Sequence, residues 1–134
     1  MTDATARTFV GPHEGREFEL MRSGLKPLSV FVEDLPRKLE IFPENDFDAL
    51  VSEGKLKKHI ITEQVTGPSG EDVSIRKVFY ALPGEEWRIH SFLLVQSIYD
   101  SLVPGWRPDL DRVIGALLGY DRADIEKFVQ QFEK

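Results

Sequence analysis

The stretch from residue 56 to 82 constrains this chain more than any other. "LKKHIITEQVT" and "VSIRKVFYAL" are runs rich in β-branched and aromatic residues, and they flank "GPSGED". The glycines and proline of that middle segment are turn chemistry, and two such runs joined by a short turn read as an antiparallel hairpin. Any fold for this chain must therefore contain an antiparallel sheet.

The last third imposes a second condition. In "PDLDRVIGALLGY", Leu110, Val113, Ile114, Leu117 and Leu118 recur at the spacing of one helical face, and Gly119 ends the run. "DRADIEKFVQQFEK" follows with Asp121 as N-cap, Asp124 three residues on, and Ile125, Phe128, Val129 and Phe132 as its stripe. Ahead of them, "PGEEWRIHSFLLVQSIYDSLV" opens with proline and two acids suited to the positive end of a helix dipole. Its apolar residues cover more than half the circumference, which predicts a central helix buried on several sides. Arg88 to Val95, taken alone, also fits a fifth strand.

Two shorter units precede the hairpin. Pro12 and "EGREFELMRSG" predict a helix burying Phe18, Met21 and Leu25, stopped by Gly24 and Pro27. "LSVFVED", "LPR" and "KLEIF" predict two strands joined by a tight turn. A second helix opens at Pro43 with Asn45 or Asp46 as N-cap, buries Phe47, Leu50 and Val51, and closes at Gly54. Helix, glycine, strand, turn and strand thus occur twice, which is either a duplicated αββ unit or the ordinary grammar of a small α+β chain. The expected fold is α+β: a four-stranded antiparallel sheet with a C-terminal group of three helices on one face. The element order favours helices segregated to one side, leaving the other sheet face to solvent or a partner. Residues 1–7 read as a loose polar tail and 8–134 as one domain, because no glycine- or proline-rich linker interrupts them.

Composition narrows the function. Cysteine is absent, so thiolate nucleophiles, disulfides and cysteine-bound zinc are excluded. Seventeen basic against twenty-three acidic side chains give a net charge of −6, which disfavours nucleic acid and anionic lipid and suits a basic protein partner. The apolar run Phe92 to Val95 is far too short to cross a bilayer, and "MTDATARTFV" lacks the pattern of a signal peptide. A cytoplasmic, bacterial location is the expectation.

Chemistry-bearing residues are sparse. His13 and Glu17 stand at i and i+4 within "GPHEGREFEL", a spacing that allows two ligands, but the H-E-x-x-H pattern fails and acids in a first helical turn explain the charges. His59 alternates in phase with Ile61 and Val65, which predicts a half-buried histidine bonded to a neighbour. His90 follows Glu86 by four residues, an expected charge-assisted pair. "DLD" at 109–111 opens a helix, "GPSGE" is no nucleophile elbow, and no phosphate-binding loop is present. The basic cluster "KLKKH" is too narrow for a nucleic-acid reader, and the last helical pair carries too few cations for one. No catalytic residue, metal ligand or cofactor is assigned. Two Trp-Arg pairs, Trp87-Arg88 and Trp106-Arg107, remain as binding candidates, because Trp and Arg dominate binding hot spots. Trp106 is either an exposed recognition tip or a lid on the helical core. These residues point to a non-enzymatic protein of inhibitor, immunity or adaptor type that docks another protein. The alternative is a small enzyme, or a metabolite or metal binder, with a site assembled from His13, Glu17, His59 and His90.

Overall fold

The computed structural model describes residues 15–35, 42–101 and 107–131. Among them it is an α+β fold with five helices and a three-stranded antiparallel sheet. In chain order these are α1 (Glu17–Arg22), β1 (Leu28–Leu35), α2 (Glu44–Ser52), β2 (Lys57–Thr66), β3 (Asp72–Ala81), α3 (Trp87–Ser101), α4 (Pro108–Leu117) and α5 (Arg122–Gln130).

The hairpin forms as the turn chemistry dictates. β2 and β3 pair without a bulge from Lys57↔Ala81 to Thr66↔Asp72. The Gly67 N–H donates to the Glu71 carbonyl at 2.7 Å, and Gly70 supplies the positive φ of +80° that the turn needs. β1 joins on the other side of β3, from Leu28↔Ala81 to Leu35↔Ser74, giving the order β1-β3-β2. The four-stranded sheet expected from sequence is therefore three-stranded in the described residues, and its remaining strand, "KLEIF", lies outside them except for Phe42. Phe42 is not in a strand; its ring stacks on Phe31 at 4.2 Å. No duplicated αββ unit is confirmed among the described residues, where β1 pairs with β3, from Leu28↔Ala81 to Leu35↔Ser74.

Both faces of the sheet are covered, which corrects the expectation of one bare face. The reason lies in β3. Val78 and Tyr80 point to one side, Phe79 and Ala81 to the other, and all four are buried. A strand apolar on both faces needs two layers above and below it. On the first side Met21, Phe31, Phe47, Leu50, Leu56, Val78 and Tyr80 form a core beneath α1 and α2. On the second, Leu28, Phe79, Ala81, Ile89, Phe92 and Leu117 form a core beneath α3 and α4.

Several helix details differ from the sequence reading. Leu25, expected on the buried face of the first helix, is 72% exposed. α1 ends at Arg22, and Gly24 at φ +79° turns the chain out of helical phase before Leu25. In α2 the N-cap is Pro43, with no side-chain cap bond, rather than Asn45 or Asp46. α3 is a helix throughout the run that also fitted a strand, and only Ile89 and Phe92 on it are fully buried. It packs on the sheet and on α4, not on all sides. α5 begins as predicted, with the Asp121 carboxylate accepting from the Asp124 N–H at 2.9 Å.

The two halves of the chain meet at the C-terminal end of α4. Lys26, fully buried, donates to the Leu118 carbonyl at 2.6 Å, and Arg88 donates to the carbonyls of Ala116 and Leu117 at 3.0 Å each. Two cations thus sit where the helix dipole is negative. Gly119, at φ +88°, lies so close to Pro27 that a Cβ would come within 2.4 Å of the proline ring. Burial pushes the Lys26 ammonium down to about 8.

Candidate interaction surface

α3 lies across the second sheet face with Ile89 and Phe92 turned inward, so its opposite side faces water. Residues 87, 94 and 98 fall on that side at the i, i+7, i+11 spacing of one helical stripe. They are Trp87, Leu94 and Ile98, and they are 53%, 62% and 40% exposed. The positions that share the stripe, His90, Ser91 and Ser101, carry no carboxylate, lysine or arginine. In a chain with 30% charged residues, this helix thus presents a face without formal charge, in which Trp87, Leu94 and Ile98 lie among His90, Ser91 and Ser101.

Trp87 is held in place. The Arg88 guanidinium lies 4.7 Å from the centre of its ring, and Arg88 is itself bonded to Glu85 and to the end of α4. Arg88, named with Trp87 as a binding candidate, is therefore engaged in positioning: it joins α3 to α4 and stacks the indole. Arg107 occupies the N-cap position of α4, its side chain pairs with Asp109 at 2.8 Å, and its backbone N–H donates to the Tyr99 hydroxyl oxygen at 3.4 Å. Trp106 lies outside the described residues, as does His13.

The histidines converge in part. His59 and His90 approach with ring centroids 6.3 Å apart, and both are exposed. His59 is exposed, not half-buried as its phase implied, on the edge strand β2. His90 is not paired with Glu86, whose carboxylate accepts from the Gly84 N–H at 2.6 Å. Glu17 opens α1 on the opposite face of the sheet from His59. Among the described residues no group of three or more His, Asp or Glu is arranged to hold a metal ion. Beside α3 an open groove of about 320 Å³ runs between Glu63 and Lys77 on the sheet and Gln96 and Asp100 on the helix. Lys77 bridges it, bonded to both Glu63 and Gln96 at 3.0 Å.

The densest polar cluster was missed by reading the sequence. On the first sheet face Arg76 bonds Glu33 and also donates to Glu44 at 2.5 Å. Lys58 donates to Glu44 at 2.9 Å and to Asp48 at 2.7 Å, and the Tyr80 hydroxyl donates to Asp48 at 2.9 Å. The bond from Arg76, with help from Lys58, draws the Glu44 carboxyl down to about 2. Its two carboxylate partners, Glu44 first, hold the Arg76 guanidinium well above its usual range. Burial works against the Lys58 ammonium, but Asp48 and Glu44 outweigh it and raise it. Burial, reinforced by Asp48, pushes the Tyr80 phenol far up. These shifts move each group away from neutrality, where general acid–base catalysis needs one. The cluster fastens the first turn of α2 to the sheet. One signal for it existed: Glu33, Lys58 and Arg76 share strand phase with Phe31, Ile60 and Val78, so they point to the same side as the core.

Among the described residues no helix is long and apolar enough to cross a membrane. Comparison of the chain with protein-family models, with curated proteins and with solved structures gives no match.

Proposed function

We propose that this chain is a small non-enzymatic binding protein of the bacterial cytoplasm, of inhibitor, immunity or adaptor type, which docks a protein partner on the outward face of α3. The observation that carries this reading is the Trp87, Leu94 and Ile98 stripe, apolar, free of formal charge and left in water by a helix that is otherwise well packed. Trp87 is the anchor: a large, partly rigid side chain pre-positioned by Arg88, the kind of residue that dominates binding energy. The net charge of −6 favours a partner whose contact surface is apolar with a basic rim. The test is Leu94→Asp. A partner recovered with the wild-type protein is lost with this variant, while thermal stability stays within a few degrees of wild type; retention of the partner excludes α3 as the docking face.

A second reading rests on the approach of His59 and His90. Two imidazoles at that separation are a start on a site for a divalent metal or an anionic metabolite, with His13 as a third candidate. Thermal-shift screening with divalent metals and metabolites separates the readings, since a ligand-specific rise in melting temperature that is lost in His59→Ala supports the second.

A further inference from the structure

β2 is an edge strand ten residues long, unbulged and without proline. Its inner edge is fully paired with β3, and among the described residues its outer edge has no hydrogen-bonded neighbour. It is exposed along most of its length, with Ile60 at 43%. A long regular edge of this kind invites another strand unless bulges, prolines or charges block it. Among the described residues the charges on this strand are Lys57, Lys58 and Glu63, and where they sit determines which strand they admit.

We propose that the outer edge of β2 pairs antiparallel with β2 of a second copy of this chain, about a two-fold axis through Ile60, joining the two sheets into one of six strands. The argument is charge complementarity under symmetry. A two-fold axis normal to the sheet keeps each face continuous, so a residue opposes only a residue of its own phase. Within β2 the acid is Glu63 and the lysines are Lys57 and Lys58. Glu63 shares phase with Lys57 and not with Lys58. One register alone sets a lysine of β2 opposite a glutamate of the second copy, and it is the register centred on Ile60. It does so twice, Lys57 to Glu63 and Glu63 to Lys57, and brings the two exposed Ile60 side chains together on the axis. Lys58 then faces Thr62, and His59 faces Ile61. Parallel in-register stacking, the geometry of indiscriminate aggregation, would instead set Lys57 on Lys57 and Lys58 on Lys58. The lysines thus exclude the open-ended arrangement and admit the closed one. The surface adjoins the Trp87 stripe where His59 approaches His90, but its pairing groups lie on β2.

The test is sedimentation velocity over a concentration series reaching the millimolar range, with far-UV circular dichroism to check folding. Wild type sediments as a dimer. Lys57→Glu and Glu63→Lys each bring like charges together at two places and weaken association by on the order of tenfold or more. An equimolar mixture of the two variants restores opposite charges at both places and recovers the dimer. Ile60→Lys, at an exposed position, sediments as a monomer with its fold intact. The proposal is overturned by a wild-type protein that stays monomeric throughout. It is equally overturned by a mixture no tighter than either variant alone, or by a dimer that Ile60→Lys leaves intact and Leu94→Asp removes.

Discussion

The two sides of the sheet are built to different standards. On the α1 and α2 side the rings of Phe18, Phe31, Phe42, Phe47 and Tyr80 interlock, with Phe47 and Tyr80 stacked at 4.6 Å and Phe18 edge-on to Phe47 at 5.3 Å. A chain of ion pairs from Glu33 to Asp48 closes that layer at its polar end. On the α3 and α4 side the core is mostly aliphatic, and the helix above it keeps large apolar groups in water. Burial stabilises in proportion to area removed from water, so the inward groups of both layers contribute to the fold, while Trp87, Leu94 and Ile98 on the outer side of α3 contribute little.

Substitutions test that division directly. Phe47→Ala, which empties the middle of the aromatic layer, is expected to cost about 3–5 kcal/mol in denaturant unfolding. A cost below about 1 kcal/mol would mean that the layer relaxes and does not dominate stability. The ion-pair chain has the next largest effect, and it is visible in acid. The Glu44 carboxyl is drawn below its ordinary value, so its contribution is complete above about pH 4.5 and is lost as pH falls toward about 2. Glu44→Gln lacks that proton uptake. The wild-type loss of stability between pH 5 and pH 2.5, of order 1 kcal/mol from this partly exposed group, is reduced in the variant. Equal acid sensitivity would place the acid-labile interactions elsewhere. Leu94→Ala has the smallest effect, within about 0.5 kcal/mol, because its side chain is already hydrated. A larger loss would show that the outward face of α3 is part of the core after all.

What the sequence made legible follows the range of the interactions. The β2–β3 hairpin and the Asp121 cap rest on residues within a few positions of each other, and both are present as read. The α+β class follows from such local units. The partner of β1 does not, because Leu28↔Ala81 spans the whole of α2 and β2 and leaves no mark in local pattern. The same limit explains the helices on both faces. The "VFYA" run of β3 is buried on both faces, whereas helices were expected on one face only, because no local pattern says which helix covers which side. For α3, apolar composition was read as burial on several sides, whereas Leu94 and Ile98 are apolar and exposed, a combination that hydrophobicity alone cannot separate. Glu33, Arg76 and Glu44 are far apart in the chain, and strand phase was the one clue joining them. The approach of His59 to His90 depends on how α3 crosses the sheet, which no local spacing encodes.

The closure at the end of α4 joins distant parts of the chain. Lys26 reaches a carbonyl ninety-two positions later in the chain, and Gly119 accepts Pro27 against its bare α-carbon. The bond from Lys26 to Leu118 and the contact of Pro27 with Gly119 are thus complete only when α4 is in place, which ties the start of β1 to the end of that helix.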